Sequence, residues 1–479
     1  MDKEDNTNTF PDTTQDIDDT EGDDVFIEEG ALVEVDFSDD EECPPDDDDD
    51  TIAETEEVME ENPEMEVDIP DVSFASFARH NDSVYCASLH PSRPGLAVSG
   101  GGDDTAFLWS YGSSTTDDGE ENGRGVKSCI ELDGHTDTVT AVGFNFDGTL
   151  VLTGGYDGLV NIWSTETGEK KHTLEGPEDI EWAVWHPKGN AVLAGSKDGT
   201  VWMWLAHTGQ CVQVFAGHVG GVSCGMFSRD GKVVCSGGED GTVRLWGPKT
   251  GACKHCFTGA LGGGHSGNIT CLDGNEDGDL LASGGFDGEV HLYHIPGKRL
   301  LKKLIHSEPV KVDHPSPPDE ESAAMTEDND EEDDPPTEQE EVLSVECVGF
   351  SHKDIKWLAS GGIDKNLKIW DISTGSCRCI CRHEDAVVAL KWHESLPVVV
   401  SACLDFTVRV WDARSGVVLS SLTGHRDLVT NIDFKRVDMV RENSENGEIE
   451  NEKVDAILSV SDDGTAKVFH IDVSSLLLA

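Results

Sequence analysis

The sequence predicts an all-β propeller of eight blades, preceded by an acidic segment that does not fold. Three observations support this prediction. Residues 1–70 contain 31 Asp or Glu and a single basic residue, Lys3. From Phe74 onward, short runs rich in Val, Leu, Phe and Trp alternate with Gly-Asp turns, which is typical of an all-β repeat. A fixed spacing of His, Asp and Trp then recurs along the rest of the chain.

The charge of the chain limits its partners. The 479 residues include 96 Asp or Glu against 34 Lys or Arg, a formal net charge of −62. Such a chain repels nucleic-acid phosphates and anionic membrane surfaces, so we expect a basic protein partner and no direct nucleic-acid binding. No apolar run approaches the roughly 20 residues that span a bilayer, and the acidic start does not resemble a secretory signal. We therefore expect no membrane insertion, and a monomer in the cytoplasm or also in the nucleus.

The domain boundaries follow from these shifts in composition. Residues 1–70 hold too little apolar surface to offset the entropy of ordering, so we expect them to be disordered. The propeller should then cover residues 71–473, with a free tail at 474–479. Residues 307–341 carry 15 acidic residues against Lys311 alone, and form the longest of three polar insertions. The other two are 112–125 and 438–453.

The repeat is clearest after Gly134. Asp157 follows His135 by 22 residues, and Trp163 follows Asp157 by six. Two units end at Asp198 and Asp364 without a His at the matching position. Eight units result, and seven blades with one degenerate unit is the alternative. The remaining units are His80, Asp103 and Trp109; His218, Asp240 and Trp246; His265, Asp287 and Tyr293; His383, Asp405 and Trp411; and His425, Asp463 and Phe469.

A ring of blades must close on itself. The last blade then needs a strand from the other end of the chain, and residues 72–79 precede His80 as residues 211–216 precede His218. We therefore expect residues 72–79 to form the outer strand of the final blade. We also expect the leader and all three insertions to project from the face opposite the His-containing loops.

The motif resembles the WD repeat. Literal Trp-Asp pairs occur at Trp370-Asp371 and Trp411-Asp412, and Gly-His pairs open repeats at residues 134, 217, 264 and 424. The resemblance implies one four-stranded blade per repeat, with the blades arranged radially so that each sheet packs on its neighbours.

His, Ser or Thr, and Asp recur together and could suggest a hydrolytic triad. Their recurrence in several repeats, each with a Trp at a fixed offset, instead indicates a buried hydrogen-bond relay that holds the strands in register. We therefore expect no catalytic residue, no metal site and no cofactor. The relay residues are His135, Thr153, Asp157 and Trp163; His218, Ser236, Asp240 and Trp246; and His383, Ser401, Asp405 and Trp411.

Acidic residues also recur where the chain enters each innermost strand. Glu181 and Glu346 stand where other repeats carry Ser or Thr. Carboxylates gathered at the mouth of a central channel would focus a negative field and bind a basic client. The Asp residues could instead brace their own turns. Trp182 is bulky for its position, and is either a core residue or a stacking anchor for a partner. The predicted partner-binding residues are Asp82, Asp137, Asp179, Glu181, Trp182, Glu346, Asp385 and Asp427.

The acidic leader and three stretches, 179–187, 202–204 and 408–416, resemble the angio-associated migratory cell protein family over about residues 70–472. The resemblance implies a cytoplasmic and nuclear WD-repeat protein linked to cell migration, with a fungal relative that is a dedicated chaperone of one ribosomal protein. It favours a non-catalytic binding protein that holds a basic ribosomal protein as a chaperone or assembly factor. A scaffold in cell migration or signalling is the alternative. The acidic insertion 307–341 departs from the family pattern.

Overall fold

The computed structural model describes residues 70–112, 124–259, 262–308, 310–311, 340–341, 343–352, 354–442 and 449–478. The predicted disorder of residues 1–70 therefore lies, apart from Pro70, outside the described residues. The central parts of the three predicted insertions lie outside them as well.

The described chain forms eight four-stranded antiparallel sheets, each of which is one blade. The eight-blade prediction is confirmed, and the seven-blade alternative is excluded. Within a blade the chain moves from the innermost strand to the outermost. The strands of the first four blades are Val84–Leu89, Leu96–Gly101, Ala106–Tyr111 and Val126–Glu131 (blade 1); Val139–Phe144, Leu150–Gly155, Val160–Ser164 and Lys170–Leu174 (blade 2); Ile180–Trp185, Ala191–Ser196, Thr200–Leu205 and Gln210–Ala216 (blade 3); and Cys224–Phe227, Val234–Gly237, Val243–Trp246 and Cys253–Phe257 (blade 4).

The remaining blades follow the same order, except that blade 8 takes its outermost strand from the start of the propeller. Their strands are Ile269–Gly274, Leu280–Gly285, Glu289–His294 and Arg299–Ile305 (blade 5); Val345–Phe350, Trp357–Gly362, Asn366–Asp371 and Cys377–Arg382 (blade 6); Val387–Trp392, Val398–Cys403, Val408–Asp412 and Val417–Leu422 (blade 7); and Val429–Glu442, Ile449–Ser461, Ala466–Ile471 and Ala75–Phe77 (blade 8).

The hydrophobic core is divided among the junctions between blades. Each of eight buried apolar clusters joins two neighbouring blades, and the cluster between blades 8 and 1 completes the ring. The innermost strands contact one another around the centre. Stability is therefore spread over junctions of similar construction, and a blade depends on both of its neighbours.

The ring closes through a strand shorter than the predicted 72–79. Ala75–Phe77 pairs antiparallel with the third strand of blade 8, Ala75 opposite Val468 and Phe77 opposite Ala466. Phe77 is fully buried and stacks on Trp109 of blade 1 at 4.9 Å between ring centroids. Burial of a side chain of this size contributes about 2–3 kcal/mol, so this short strand still anchors blade 8 to blade 1.

The chain end differs from the predicted free tail at 474–479. Val473–Leu476 forms a helical turn whose first residue is fully buried, and Val473 N donates to the Asp455 carboxylate at 3.3 Å. Leu477 packs on the cluster between blades 7 and 8. The apolar residues of the tail thus cover the end of that junction. In the described part of the chain, no helix is long and apolar enough to cross a membrane.

The insertions do not all leave from one face. Because the strands alternate in direction, the loops entering the innermost strands share one face with the turns between second and third strands; we call this face the rim. Insertions 112–125 and 438–453 connect strand ends at the opposite face, as predicted. The prediction for 307–341 is wrong, because Arg299–Ile305 already completes blade 5 and the insertion therefore leaves from the rim.

The base of that insertion is a two-stranded ladder in which Val310 pairs with Glu341 and Lys311 with Glu340. The sequence prediction placed the insertion before the outermost strand of blade 5, whereas Arg299–Ile305 precedes the insertion. The leader also enters near the rim, since Val72 N donates to the carbonyl of Thr423, at 3.1 Å, in the loop that carries His425. The described ends of the leader and of this insertion therefore lie at the rim, and not at the opposite face as the sequence predicted.

Candidate functional site

The rim is held in shape by the relays. In blade 2, His135 lies 3.0 Å from Asp157 and its other ring nitrogen lies 2.7 Å from Thr153 Oγ1, which also accepts the Trp163 indole N–H at 3.0 Å. The Asp157 carboxylate accepts the backbone N–H of Thr136 at 3.1 Å and so ties the turn to the His loop. The relay therefore fixes both backbone segments that form the rim.

The other two predicted relays differ from each other. In blade 4, His218 lies 3.0 Å from Asp240 and 2.7 Å from Ser236, which accepts the Trp246 indole N–H at 2.8 Å. In blade 7 the bonds to Ser401, from His383 at 2.8 Å and from Trp411 at 2.9 Å, are present, but His383 Nδ1 has no partner of normal geometry and does not reach Asp405. This relay is therefore open.

Blade 6 contains a relay His that the sequence reading missed. His306 Nδ1 lies 2.7 Å from Ser360 Oγ, and its Nε2 lies 3.0 Å from Asp364. The pair is 58 residues apart instead of 22 because the acidic insertion stands between them. The imidazole of His306 is also flipped relative to those of His135 and His218: its Nδ1 faces the serine and its Nε2 faces the aspartate. An insertion inside the loop therefore hid an intact relay from a search by fixed spacing.

Blade 3 lacks a relay His among the described residues, as the sequence indicated, and a tryptophan takes its place. Trp202 stacks on Trp204 at 5.9 Å and donates its indole N–H to Thr200 Oγ1 at 2.7 Å. Thr200 in turn donates to Asp198 at 2.5 Å. The blade therefore replaces the imidazole by a second indole.

One group of side chains has the composition of a metal site. Ligand atoms of His265, Asp287 and His291 all lie within 4.8 Å of one another. His265 is bonded to Asp287 at 2.8 Å and to Ser283 at 2.6 Å, however, and His291 is bonded to Glu289 at 2.7 Å. Burial lowers the pKa of His291 to about 4, with the charge of the stacked His265 acting in the same direction. These hydrogen bonds identify the group as the relay of blade 5.

A β-bulge near the start of the innermost strand, present in every blade except blade 4, sets one side chain at the channel. Where it is Thr, the hydroxyl bonds the next blade: Thr140 donates to Ile180 O at 2.7 Å, and Thr430 to Val84 O at 2.8 Å. Glu181 and Glu346 occupy this bulge position in blades 3 and 6. In these two blades, which lie three blades apart, a carboxylate stands where other blades have a structural hydroxyl. Because a carboxylate cannot donate the bond to the next blade, both residues are functional candidates.

Glu181 lies in a group of acids on the rim that includes Asp137, Asp179 and Glu239. Burial raises its pKa, as do the nearby charges of Glu239 and Asp179, while Lys197 opposes them. Lys197 Nζ is 3.8 Å from Asp179, with both side chains largely exposed. Burial raises the pKa of Tyr156, and the nearby charges of Glu181, Asp179 and Asp137 raise it further. Blades 2 to 4 therefore carry an acidic cluster that the single lysine does not neutralise.

The remaining predicted acids lie on the rim but chiefly cap their own turns. Each carboxylate accepts the backbone N–H of the next residue: Asp82 at 2.8 Å, Asp137 at 2.7 Å, Asp385 at 2.9 Å and Asp427 at 2.8 Å. Glu346, on the other side of the ring, accepts a hydrogen bond from the Ser344 hydroxyl. These geometries favour the bracing role, although the outer carboxylate oxygens still face solvent.

Trp182 lies between blades 3 and 4. Its indole N–H donates to Val222 O at 2.7 Å, and a Cβ added at Gly195 or Gly225 would come within 2.3 Å or 2.2 Å of the ring. The ring therefore fills the space between two glycines, and its N–H replaces the Thr-to-carbonyl bond found at other junctions. This position favours the core role over the predicted partner-binding role.

Tyr156 and Glu239 are rim residues that were not predicted from the sequence. Both directly precede a relay Asp, and their N–H groups bond to rim carbonyls, Tyr156 to Thr138 at 3.0 Å and Glu239 to Gly221 at 2.9 Å. The sequence contains this information, because the residue before each relay Asp can be identified once the spacing of the repeat is known.

Comparisons with known proteins agree with this architecture. Seven segments match the family of the WD domain, G-beta repeat: residues 72–110, 126–164, 168–204, 209–247, 251–294, 339–371 and 375–412. Angio-associated migratory cell proteins of Homo sapiens and Canis lupus familiaris are each 35% identical to the chain over 356 residues, 74% of this chain and 74% of theirs. The chain belongs to the angio-associated migratory cell protein family.

The chain shares its fold with Sqt1 proteins. Sqt1 of Saccharomyces cerevisiae superposes with a TM-score of 0.66 at 21% identity, over 84% of this chain and 99% of that one. Sqt1 of Chaetomium thermophilum, bound to the N-terminus of the ribosomal protein L10, gives a TM-score of 0.62 at 22% identity, over 84% and 100%. The angio-associated migratory cell protein fold is thus that of a WD propeller, a protein-binding scaffold.

Proposed function

We propose that this chain holds a basic ribosomal protein as a chaperone or assembly factor, through the acidic cluster on the rim of blades 2 to 4. The observation that carries the proposal is the environment of Glu181. Its carboxylate is half-buried at the channel, and like charges from Glu239 and Asp179 destabilise its ionised form. A Lys or Arg side chain from a client would relieve that repulsion and replace lost water contacts.

The comparisons support this proposal from outside the chain. A propeller of the same fold, Sqt1 of Chaetomium thermophilum, has been solved with the N-terminus of ribosomal protein L10. A basic client also suits the net charge of −62. We also propose that the protein is monomeric and non-catalytic. We propose that it acts in the cytoplasm, or in both the cytoplasm and the nucleus, because ribosomal proteins occur in both compartments.

Charge reversal at the rim tests the proposal. A synthetic peptide with the sequence of the L10 N-terminus serves as the probe, and the full-length chain with Glu181→Lys and Glu346→Lys as the variant. We expect at least about tenfold weaker binding, chiefly through slower association and with a smaller dependence on salt, because attraction becomes repulsion.

Glu166→Lys is the matched control, since Glu166 is exposed in a turn at the opposite face and changes the net charge equally per substitution. Unchanged affinity in the folded rim variant, or an equal loss in the control, would reject the acidic cluster as the binding site.

A scaffold in cell migration or signalling is the second candidate, and the names of the 35%-identical relatives favour it. Purification of the full chain from cells, followed by mass spectrometry, separates the two. Basic ribosomal proteins released by salt support the first function, whereas receptor tails or cytoskeletal regulators support the second.

A further inference from the structure

One position on the rim has the same backbone anchor in every blade. The residue before each relay Asp donates its N–H to a carbonyl of the loop that enters the innermost strand, at 2.8–3.2 Å. Its side chain is therefore presented from a fixed backbone, and a partner that contacts it need not order the turn. From blade 1 to blade 8 these residues are Gly102, Tyr156, Lys197, Glu239, Phe286, Ile363, Leu404 and Asp462.

Their chemistry divides the ring into two parts. In blades 2 to 4 they are Tyr156, Lys197 and Glu239, beside the acidic cluster. In blades 5 to 7 they are Phe286, Ile363 and Leu404, which we call the apolar sector. Phe286 is 49% exposed and Ile363 is 44% exposed.

Isolated exposed apolar residues are common on protein surfaces and need no explanation. Phe286 and Ile363 are instead two exposed apolar residues at equivalent positions of neighbouring blades, and the half-buried Leu404 occupies the same position on blade 7. Val388, the bulge residue of blade 7, is also apolar, and Glu346 stands among them on blade 6. The apolar sector thus lies on the same rim as the carboxylate of Glu346.

We propose that the apolar sector seats an apolar or aromatic side chain of the same client segment whose basic side chains bind the acidic cluster. The inference rests on the proposed function and specifies the client chemistry. The segment carries cationic residues toward one end and a Phe-like or Leu-like residue toward the other. It is long enough to reach from the acidic cluster of blades 2 to 4 to the apolar sector of blades 5 to 7, which begins on the blade next to blade 4.

The test uses two synthetic Arg-rich peptides of equal length and charge, one carrying Phe where the other carries Ser. Binding to the full-length wild-type chain is compared with binding to the variant Phe286→Ser with Ile363→Ser. We expect the double variant to bind the Phe peptide about tenfold more weakly, through faster dissociation, and the Ser peptide unchanged. The salt dependence of both peptides should stay as in the wild type, since no charge is altered.

Phe146→Ser is the matched control, because Phe146 is 50% exposed in a turn at the opposite face. It should leave both peptides unaffected. The inference is overturned if the double variant binds the Phe peptide as the wild type does, or if Phe146→Ser weakens it equally. It is also overturned if the double substitution weakens binding in the full-length chain but not in a chain that lacks residues 312–339, since the sector would then bind the chain's own insertion.

Failure of the proposed function looks different from failure of this inference. If Glu181→Lys weakens both peptides while Phe286→Ser with Ile363→Ser changes neither, the acidic site stands and the apolar sector does not contribute. If Glu181→Lys changes neither peptide, the proposed function fails first, and with it the inference.

Discussion

Blades 4 and 7 carry the same residue types at the same spacing, yet their relays differ. In blade 4, His218 joins Asp240 at 3.0 Å and Ser236 at 2.7 Å. In blade 7, the bond from His383 to Ser401 is kept at 2.8 Å, but the imidazole Nδ1 has no hydrogen-bond partner. The half of the relay that faces the core is thus common to both blades, and the half that faces the rim is not.

The arginine four residues after the relay Asp also differs between these two blades. Arg409 Nη2 lies 2.8 Å from Asp405, whereas Arg244 Nη2 lies 3.7 Å from Asp240 and its guanidinium stands 5.9 Å from the Trp246 ring centroid. In blade 7 the arginine thus lies close to a carboxylate that the imidazole does not bond. Two blades with the same sequence pattern therefore differ in which side chain, the histidine or the arginine, lies nearer to the relay carboxylate.

Removal of each imidazole should give the largest difference in stability between the two blades. His218→Ala loses bonds to both Asp240 and Ser236, and should lower the free energy of unfolding by roughly 3 kcal/mol. His383→Ala creates a similar cavity but loses only the bond to Ser401, so its loss should be about 1–2 kcal/mol smaller. The shift of the urea midpoint, at unchanged m-value, measures both. Equal losses would show that the carboxylate bond contributes nothing in blade 4.

The repeat spacing was enough to predict the fold. The fixed distance from Asp157 to Trp163 places a turn and the strand after it, and eight such units specify eight blades. The same alignment singled out Glu181 and Glu346, because other repeats carry Ser or Thr at that position; the bulge and the bond to the next blade are visible only in the structure.

Fixed spacing failed where the chain length between partners changes or where side chains compete. His306 was missed because an insertion separates it from Asp364, although the three-dimensional contact is intact. The competition between Arg409 and His383 for Asp405 depends on distances of less than an ångström, which no residue pattern encodes. The exposure of Phe286 likewise depends on its turn lying at the rim.

The open relay should also give blade 7 its own pH dependence. Burial, together with the charge of Arg409, lowers the pKa of His383 to about 4, whereas an unfolded His titrates near 6.5. The unfolded state therefore binds a proton first, and stability falls as the pH drops from about 6.5 to about 4. Between pH 7 and pH 5 the loss should be roughly 2 kcal/mol.

His383→Gln keeps a polar side chain near Ser401 but has no proton to gain. Urea titrations at pH 7 and pH 5 should show a smaller fall for this variant than for the wild type. His218→Gln is the control in blade 4 and should keep the part of the fall that His383 causes. A fall of the same size in His383→Gln would assign the pH dependence to other groups.

The smallest predicted effect concerns the half of the relay that the two blades share. Ser236 accepts the Trp246 indole N–H at 2.8 Å, and Ser401 accepts that of Trp411 at 2.9 Å. Both hydroxyls are fully buried and both also bond the relay His. Ser236→Ala and Ser401→Ala should therefore cost the same, about 1–2 kcal/mol each, because each leaves one indole N–H and one ring nitrogen unpaired. Urea midpoints of the two variants, measured side by side, should agree within about 0.5 kcal/mol. A clearly smaller cost for Ser401→Ala would mean that the open relay has weakened the serine bonds as well, so that blade 7 is loosened as a whole and not only at its rim.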